Sequence, residues 1–327
     1  MTRLNNNAAV TIMGTGEMAA AYISALLTLG VPAEHIRVTG RSAEKYTALA
    51  HRFGIQGLSL PALRGDGPAI LAVTQDALPA VTRQALAAGF RHLLIEKPGA
   101  LSSTALAGLT KDVADAKANA FVAFNRRFYP SVIALRNAIA EDGGIRTVFF
   151  EFTEVERLVL AEQEMKRLPK IVTDRWGLSN STHVIDLVVF LMGKPVTMSP
   201  LQEGSLPWHE TAASFAGSGR SERGAIFSYL ASWGTAGRWR VEVTTPARRL
   251  FLCPLETLQV QMKNSFSVEP IVIASEPTNV KPGLAGMLAE FLQPHGARPT
   301  NLPDLYESVQ TLRIAETICG YTQNSVA

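Results

Sequence analysis

The stretch Gly14-Thr15-Gly16-Glu17-Met18-Ala19 constrains the fold of this chain more than any other. An apolar run at residues 8–13 leads into it, and a helix-like run at 20–27 leaves it. Strand, glycine turn and helix, in that order, give a G-x-G-x-x-A spacing its physical meaning. Gly14 permits the tight turn, Gly16 lets the backbone approach a pyrophosphate, and the small Ala19 lets the helix pack close to the strand. The amides around Thr15, Glu17 and Met18 then open toward an anion, with the helix dipole behind them. An ordinary strand-to-helix turn has the same local look; the surrounding strand and helix signals favour a dinucleotide site.

The same alternation continues downstream. Strands are predicted at 35–39, 55–59, 69–73, 92–95 and 120–124, and helices at 43–53, with Ser42 as N-cap, 78–88 and 103–118. This pattern means a doubly wound parallel sheet with ligands at the carboxyl ends of its strands. After about Arg127 the character changes. A helix at 130–141 leads into longer strands at 146–154, 210–215, 223–233, 239–244, 248–252 and 256–262, with helices at 183–192, 284–292 and 302–318. The expected fold is an α/β N-terminal Rossmann doubly wound parallel sheet plus an α+β C-terminal domain with a broad, mostly antiparallel sheet. A chain of 327 residues suits two domains. The division predicted is 1–127 for dinucleotide binding and 128–327 for substrate binding and oligomerisation.

Charged residues make up 18% of the chain, below the ~25% usual for soluble domains. With one face of the second sheet left to cover, this points to an apolar subunit interface and a homodimer or homotetramer. The net charge of +3 is interspersed, unlike the clustered basic face of a nucleic-acid binder. No run reaches the ~20 apolar residues of a membrane span. Residues 1–7, with Asn5, Asn6 and Asn7 reading as a frayed end, lack the apolar segment of a signal peptide. A cytoplasmic location without membrane partners is expected. Cys253 and Cys319 have no metal-ligand spacing and read as inert thiols, and no metal site is predicted.

The second strand ends Val38-Thr39-Gly40-Arg41-Ser42, with no acid where NAD would have its ribose hydroxyl bound. Arg41 can pair with a 2′-phosphate and Ser42 can donate a hydroxyl, so NADP is preferred over NAD; a solvated turn arginine is the alternative. Thr74 and Gln75 follow the fourth strand, on the side of the ribose and nicotinamide. The fifth strand runs into Glu96-Lys97-Pro98-Gly99. A lysine at the carboxyl end of such a strand projects toward the ligand, where its ammonium can donate to a substrate hydroxyl and share in proton transfer.

Gly14-x-Gly16-x-x-Ala19, Glu96-Lys97-Pro98 and His183-x-x-Asp186, in this order, resemble the glucose–fructose oxidoreductase/inositol dehydrogenase/MocA family over essentially the whole chain. Residues 85–92, leading to the lysine, and Ala123-Phe124-Asn125-Arg126-Arg127-Phe128, leaving the cofactor domain, resemble it too. The resemblance implies an NAD(P)-dependent oxidoreductase acting on a sugar, a nucleotide-linked sugar or a cyclitol. It implies Glu96 and Lys97 near the cofactor, Lys97 as a catalytic and substrate-binding lysine, and His183 as general acid/base. Three residues on, Asp186 lies on the same helix face and is expected to orient the imidazole or a substrate hydroxyl; a polar cluster that only caps the helix is the alternative.

One position departs from the pattern. Many family members carry an aspartate four residues before this histidine, and here Ser179 stands there. A serine cannot be a general base, so Asn180 is expected to supply a hydrogen bond. Asn125, Arg126, Arg175 and Trp176 are further substrate-binding candidates, with Tyr129 close by. The basic run Lys166-Arg167-Leu168-Pro169-Lys170 reads either as a holder of an anionic substrate or as a solvated loop, and His209 as structural or exposed. Two other readings stand: a non-catalytic NADP-binding regulator or scaffold on this fold, favoured by Ser179, and an imine or biliverdin-type reductase.

Overall fold

The computed structural model describes residues 9–164, 168–293 and 301–321; Asn5, Asn6, Asn7, Ala8, Lys166 and Arg167 lie outside the described residues. The first part alternates strictly. It runs β1 (Val10–Met13), α1 (Glu17–Thr28), β2 (Ile36–Thr39), α2 (Ala43–Phe53), β3 (Gln56–Leu58), β4 (Ala69–Leu71), α3 (Leu78–Ala87), β5 (His92–Ile95), α4 (Ser103–Asp115) and β6 (Asn119–Val122). Next come α5 (Pro130–Glu141), β7 (Thr147–Phe152), α6 (Glu156–Glu164), α7 (Lys170–Thr173) and α8 (Thr182–Met192). The remainder is β8 (Pro195–Glu203), β9 (Ser214–Ser221), β10 (Ile226–Ser232), β11 (Trp239–Thr244), β12 (Arg248–Leu252), β13 (Gln259–Met262), β14 (Glu269–Pro270), α9 (Leu284–Phe291) and α10 (Leu305–Cys319).

Two sheets result. The first has the order β3-β2-β1-β4-β5-β6, and its pairs are parallel. Val10, Ile12 and Met13 of β1 and Ala69, Ile70 and Leu71 of β4 are buried, as strands covered on both faces must be. The second has the order β14-β13-β12-β11-β7-β10-β9-β8 and is antiparallel except where β7 meets β10. Its central strands β7 and β10 alternate. In β10, Phe227 and Tyr229 are buried while Ile226 and Leu230 are 54% and 50% exposed, and Leu201 of β8, in register with Leu230 through Ala216, is exposed too. On the buried side α8 packs against β7 and β11. The fold is a Rossmann-type parallel sheet followed by a mostly antiparallel α+β sheet.

The compact units are not contiguous in sequence. One comprises Met1–Asn125 and Pro277–Val309; the other comprises Arg126–Glu276 and Gln310–Ala327. A single boundary at 127/128 therefore misses that 277–309 packs with the first unit. There α9 lies on α1, the Phe291 ring stacks on His92 with centroids 4.4 Å apart, and His92 Nε2 bonds the Phe291 carbonyl at 2.8 Å. The Val122 amide donates to the Pro303 carbonyl (3.0 Å), and Phe121 bridges Asp304 antiparallel, so the β6 edge is covered.

Gly14 closes β1. Its φ of +140° belongs to glycine, and a Cβ there would lie 2.0 Å from the Ala72 carbonyl oxygen just beyond β4. Gly16, by contrast, is followed at once by α1, and a Cβ there meets nothing within 4 Å. Gly14→Ala should therefore lower the unfolding free energy by about 2 kcal/mol or more, while Gly16→Ala should cost under about 1 kcal/mol. Chemical denaturation of the two variants checks this; equal losses would contradict it.

Candidate functional site

In the first unit the candidate residues gather around the β1–α1 turn. The Gly14 amide donates to the Thr39 carbonyl at 2.9 Å, which ties the turn to the end of β2. Gly40 follows, and a Cβ on it would lie 2.8 Å from Thr15 Cγ2. Helix α1 opens at Gly16 without a side-chain cap, and Ala19 behind it is fully buried. Uncapped first-turn amides are ready acceptors of an anion. Glu17, Arg41 and Thr74 are exposed, and Thr15, Met18, Ser42 and Gln75 are half-buried. The Ser42 hydroxyl caps α2, accepting from the Lys45 amide at 3.3 Å. Lys281, from the returning segment, brings its ammonium within 3.4 Å of Met18 Sδ, so a cation stands at the start of α1. No spacing in the sequence relates positions 18 and 281.

Glu96 turns inward. It is buried, accepts from the Tyr22 hydroxyl of α1 at 2.6 Å through Oε1, and from the Lys97 amide at 3.2 Å through Oε2. Burial, then the Glu96 charge, pushes the Tyr22 phenol well above its ordinary value. Glu96 thus staples the end of β5 to α1 and sets where Lys97, half-buried, leaves the strand. The Asn125 amide, expected at a substrate, donates to the Pro282 carbonyl at 2.9 Å and holds the segment before α9.

In the second unit the candidates surround the start of α8. A single π-helical turn, Gly177–Ser181, precedes it, so the helix reaches His183 through a widened turn of the sort frequent at functional sites. Ser179 is buried and its hydroxyl donates to the Val172 carbonyl at 2.8 Å. His183 is 3% exposed, and its ring lies against Trp239, centroids 5.8 Å apart. Arg126 is half-buried, with its guanidinium 5.7 Å from the Tyr129 and Trp239 ring centroids.

Asp186, expected to orient the imidazole or a substrate hydroxyl, is paired with Arg127. Both its oxygens accept from Arg127, at 2.7 Å from Nε and 2.6 Å from Nη2, with the two side chains 0% and 6% exposed. Burial pushes the Asp186 carboxyl up and Arg127 pulls it back. The pair fixes the first turn of α8 to the segment before α5. Arg175 and Trp176 also have structural partners. The Arg175 guanidinium is buried 4.8 Å from the Tyr321 ring centroid, and Trp176 meets Trp208 edge-on at 6.3 Å. Lys170 is exposed and paired with Asp174 one turn on at 2.7 Å, the arrangement of a solvated helix face.

Glu154, just beyond β7, was not singled out by the sequence. It is buried and accepts at Oε1 from the Ser181 hydroxyl (2.6 Å) and the Trp239 indole (3.3 Å), and at Oε2 from the Asn180 amide (2.9 Å). Asn180, expected on substrate, is thus a ligand of Glu154. Burial raises the Glu154 pKa, and the hydrogen bonds from Ser181, Asn180 and Trp239 oppose the rise. Among the described residues no group of three or more His, Cys, Asp or Glu is arranged to hold a metal ion.

Residues 9–97 match the family model described as "NADP oxidoreductase coenzyme F420-dependent". Solved structures share the fold along nearly the whole chain. UDP-N-acetylglucosamine 3-dehydrogenase GnnA from Acidithiobacillus ferrooxidans superposes with a TM-score of 0.75 at 18% identity, over 96% of this chain and 97% of that one. Levoglucosan dehydrogenase in complex with NADH gives 0.77 at 18%, over 96% of each chain. A putative NADPH-dependent oxidoreductase from Desulfitobacterium hafniense gives 0.77 at 16%, over 96% of this chain and 95% of that one. No curated protein matches the sequence.

His209 is fully buried. Its Nδ1 faces the Ala212 carbonyl at 2.6 Å, so that nitrogen carries the proton, and Nε2 accepts from the Tyr321 hydroxyl at 2.7 Å. Tyr321 in turn accepts from the Gly177 amide at 3.0 Å, which ties the π-turn to the C-terminal part of the unit. Burial holds the His209 pKa below its ordinary 6.5. The unfolded chain then takes up the proton first, so the stability due to His209 is full above about pH 6.5 and declines below it. Thermal midpoints between about pH 7.5 and pH 5 check this. His209→Gln should begin less stable by about 1–2 kcal/mol and lose less on acidification; parallel curves would contradict it.

Proposed function

We propose that the chain is an NAD(P)-dependent oxidoreductase of the glucose–fructose oxidoreductase/inositol dehydrogenase/MocA type. Its reaction exchanges a hydride between nicotinamide and the hydroxyl- or keto-bearing carbon of a sugar, a nucleotide-linked sugar or a cyclitol. The observation that carries this reading is the β1–α1 turn. There Gly14 is required by the approach of Ala72, and Gly16 opens an uncapped helix N-terminus where a side chain would meet nothing of the protein itself. A glycine that the packing does not need is explained by a diphosphate that the backbone must approach. The Lys281 ammonium at the start of α1 and the acid-free end of β2 suit the same ligand. The names of the structural neighbours, two sugar-type dehydrogenases and an NADPH-dependent oxidoreductase, agree with it.

The bound nicotinamide supplies the hydride acceptor or donor. The chain must manage the proton that an alcohol loses on oxidation. His183, at the head of α8, is the proton acceptor, and Lys97 is the ammonium that polarises the reacting oxygen. Asp186 acts at one remove, through Arg127, by fixing the turn that carries His183.

Turnover over a panel of sugars, nucleotide sugars and cyclitols with each cofactor tests the reading. Lys97→Met and His183→Ala should each lower kcat by about 10²-fold or more, with cofactor binding by fluorescence nearly unchanged. Activity that survives both substitutions would count against these roles. A wild type that binds cofactor and turns over nothing would favour the non-catalytic regulator.

Arg41 is exposed just beyond β2, the strand end that in dinucleotide-binding folds meets the adenosine ribose. Arg41→Ala should weaken NADPH binding by about tenfold or more, the loss of a charge-assisted contact, and leave NADH binding nearly intact. Equal weakening of both, or tighter wild-type binding of NADH, would argue for NAD.

A further inference from the structure

Glu154 is a buried carboxylate beside the His183 turn that the proposed chemistry leaves without a role. It costs free energy to keep an acid away from water, and this one is kept with three hydrogen-bond partners. The Trp239 indole can only donate, and the Asn180 amide nitrogen likewise, so both oxygens are engaged as acceptors. Ser181 completes the set at 2.6 Å. These partners are not arbitrary. Asn180 and Ser181 belong to the end of the π-turn that delivers His183, and Trp239 is the ring against which the imidazole rests. Ser179, where a carboxylate is expected, is tied to the backbone of Val172 instead. Other charged or titratable groups of this neighbourhood are Asp186 on α8 with its partner Arg127, Arg126 over Trp239, Arg175 beside Tyr321, and Cys319 of α10.

We infer that Glu154 is the positioning residue of His183: from just beyond β7 it clamps the π-turn and Trp239, and it provides from there the carboxylate that Ser179 does not provide from the π-turn. The inference rests on reading His183 as the proton acceptor. A carboxylate in that place orients the imidazole through its neighbours and favours the imidazolium that forms when the proton is taken.

A histidine titration on the full chain tests this without a substrate. With the imidazole nitrogens labelled, six histidine signals are followed by NMR, and His183→Gln identifies by its absence the one from His183. In Glu154→Gln the His183 midpoint should move to lower pH by about half a pH unit or more, with the other five curves and NADPH binding unchanged. Glu154→Asp, which keeps the charge, should restore most of the shift. Trp239→Phe, which keeps a ring and removes the N–H, should displace the His183 signal as well. A His183 curve in Glu154→Gln that superposes on wild type overturns the inference. If Glu154→Gln does not fold, an unchanged His183 signal in Trp239→Phe overturns it equally. Because the midpoint is read without turnover, a wild type that oxidises no sugar counts against the proposed reaction and not against this assignment.

Discussion

At Gly14 the backbone comes so close to the carbonyl of Ala72 that not even a methyl group fits between them. The first unit is organised around this contact. It lies where the strand order reverses, β1 beside both β2 and β4, and reversal points are where crevices open at the carboxyl ends of a parallel sheet. The turn held there sends α1 back along β1 with its amide end outward, and α1 then receives the Tyr22–Glu96 bond that fixes the end of β5. Local covalent geometry, a sheet register and the direction of a lysine thus follow from one backbone approach.

The second unit is organised differently, around polar groups that have been buried and satisfied. Asp186 with Arg127, Glu154 with three donors, and His209 with Ala212 and Tyr321 all converge on the elements around the start of α8. Replacing such groups by apolar ones is often neutral for stability, and removing a single partner is costly. Their common effect is geometric: a wide π-turn followed by a helix whose first residues include a histidine, held from the strand side, from the helix side and from the C-terminal part of the unit. Stacked and edge-on rings of Trp208, Trp233, Phe215 and Phe152 fill the space between.

Much of the first sheet was legible because buried parallel strands are short apolar runs bounded by helix caps and glycines; residues 69–73 and 92–95 are plain cases. The second sheet was less so. β8 contains Pro195 and Pro200, which argue against a strand except at an edge, and an edge is where it lies. β9 reads Ser-Phe-Ala-Gly-Ser-Gly-Arg-Ser, poor in strand formers, because Gly217 and Gly219 leave room for the Tyr229 and Phe227 rings of the neighbouring strand. The sequence reading placed that strand at 210–215, several residues early. Of the candidate site, the positions open to sequence reading are those inside short local motifs: the glycine turn, Lys97 and His183. Glu154 carried no signal, since its partners come from residues 180, 181 and 239. The pairing of Asp186 was equally hidden, its guanidinium partner lying 59 residues away.

The segment that returns to the first unit has a consequence for synthesis. A ribosome that has delivered the glycine turn and all six parallel strands has not yet delivered α9 or the Pro303 and Asp304 backbone that covers β6. Until then the nascent sheet presents an open strand edge and the uncovered face of α1, the features that invite wrong pairing. Vectorial emergence therefore does not let the first unit mature before the second. The early half is completed only by residues translated after the whole second sheet.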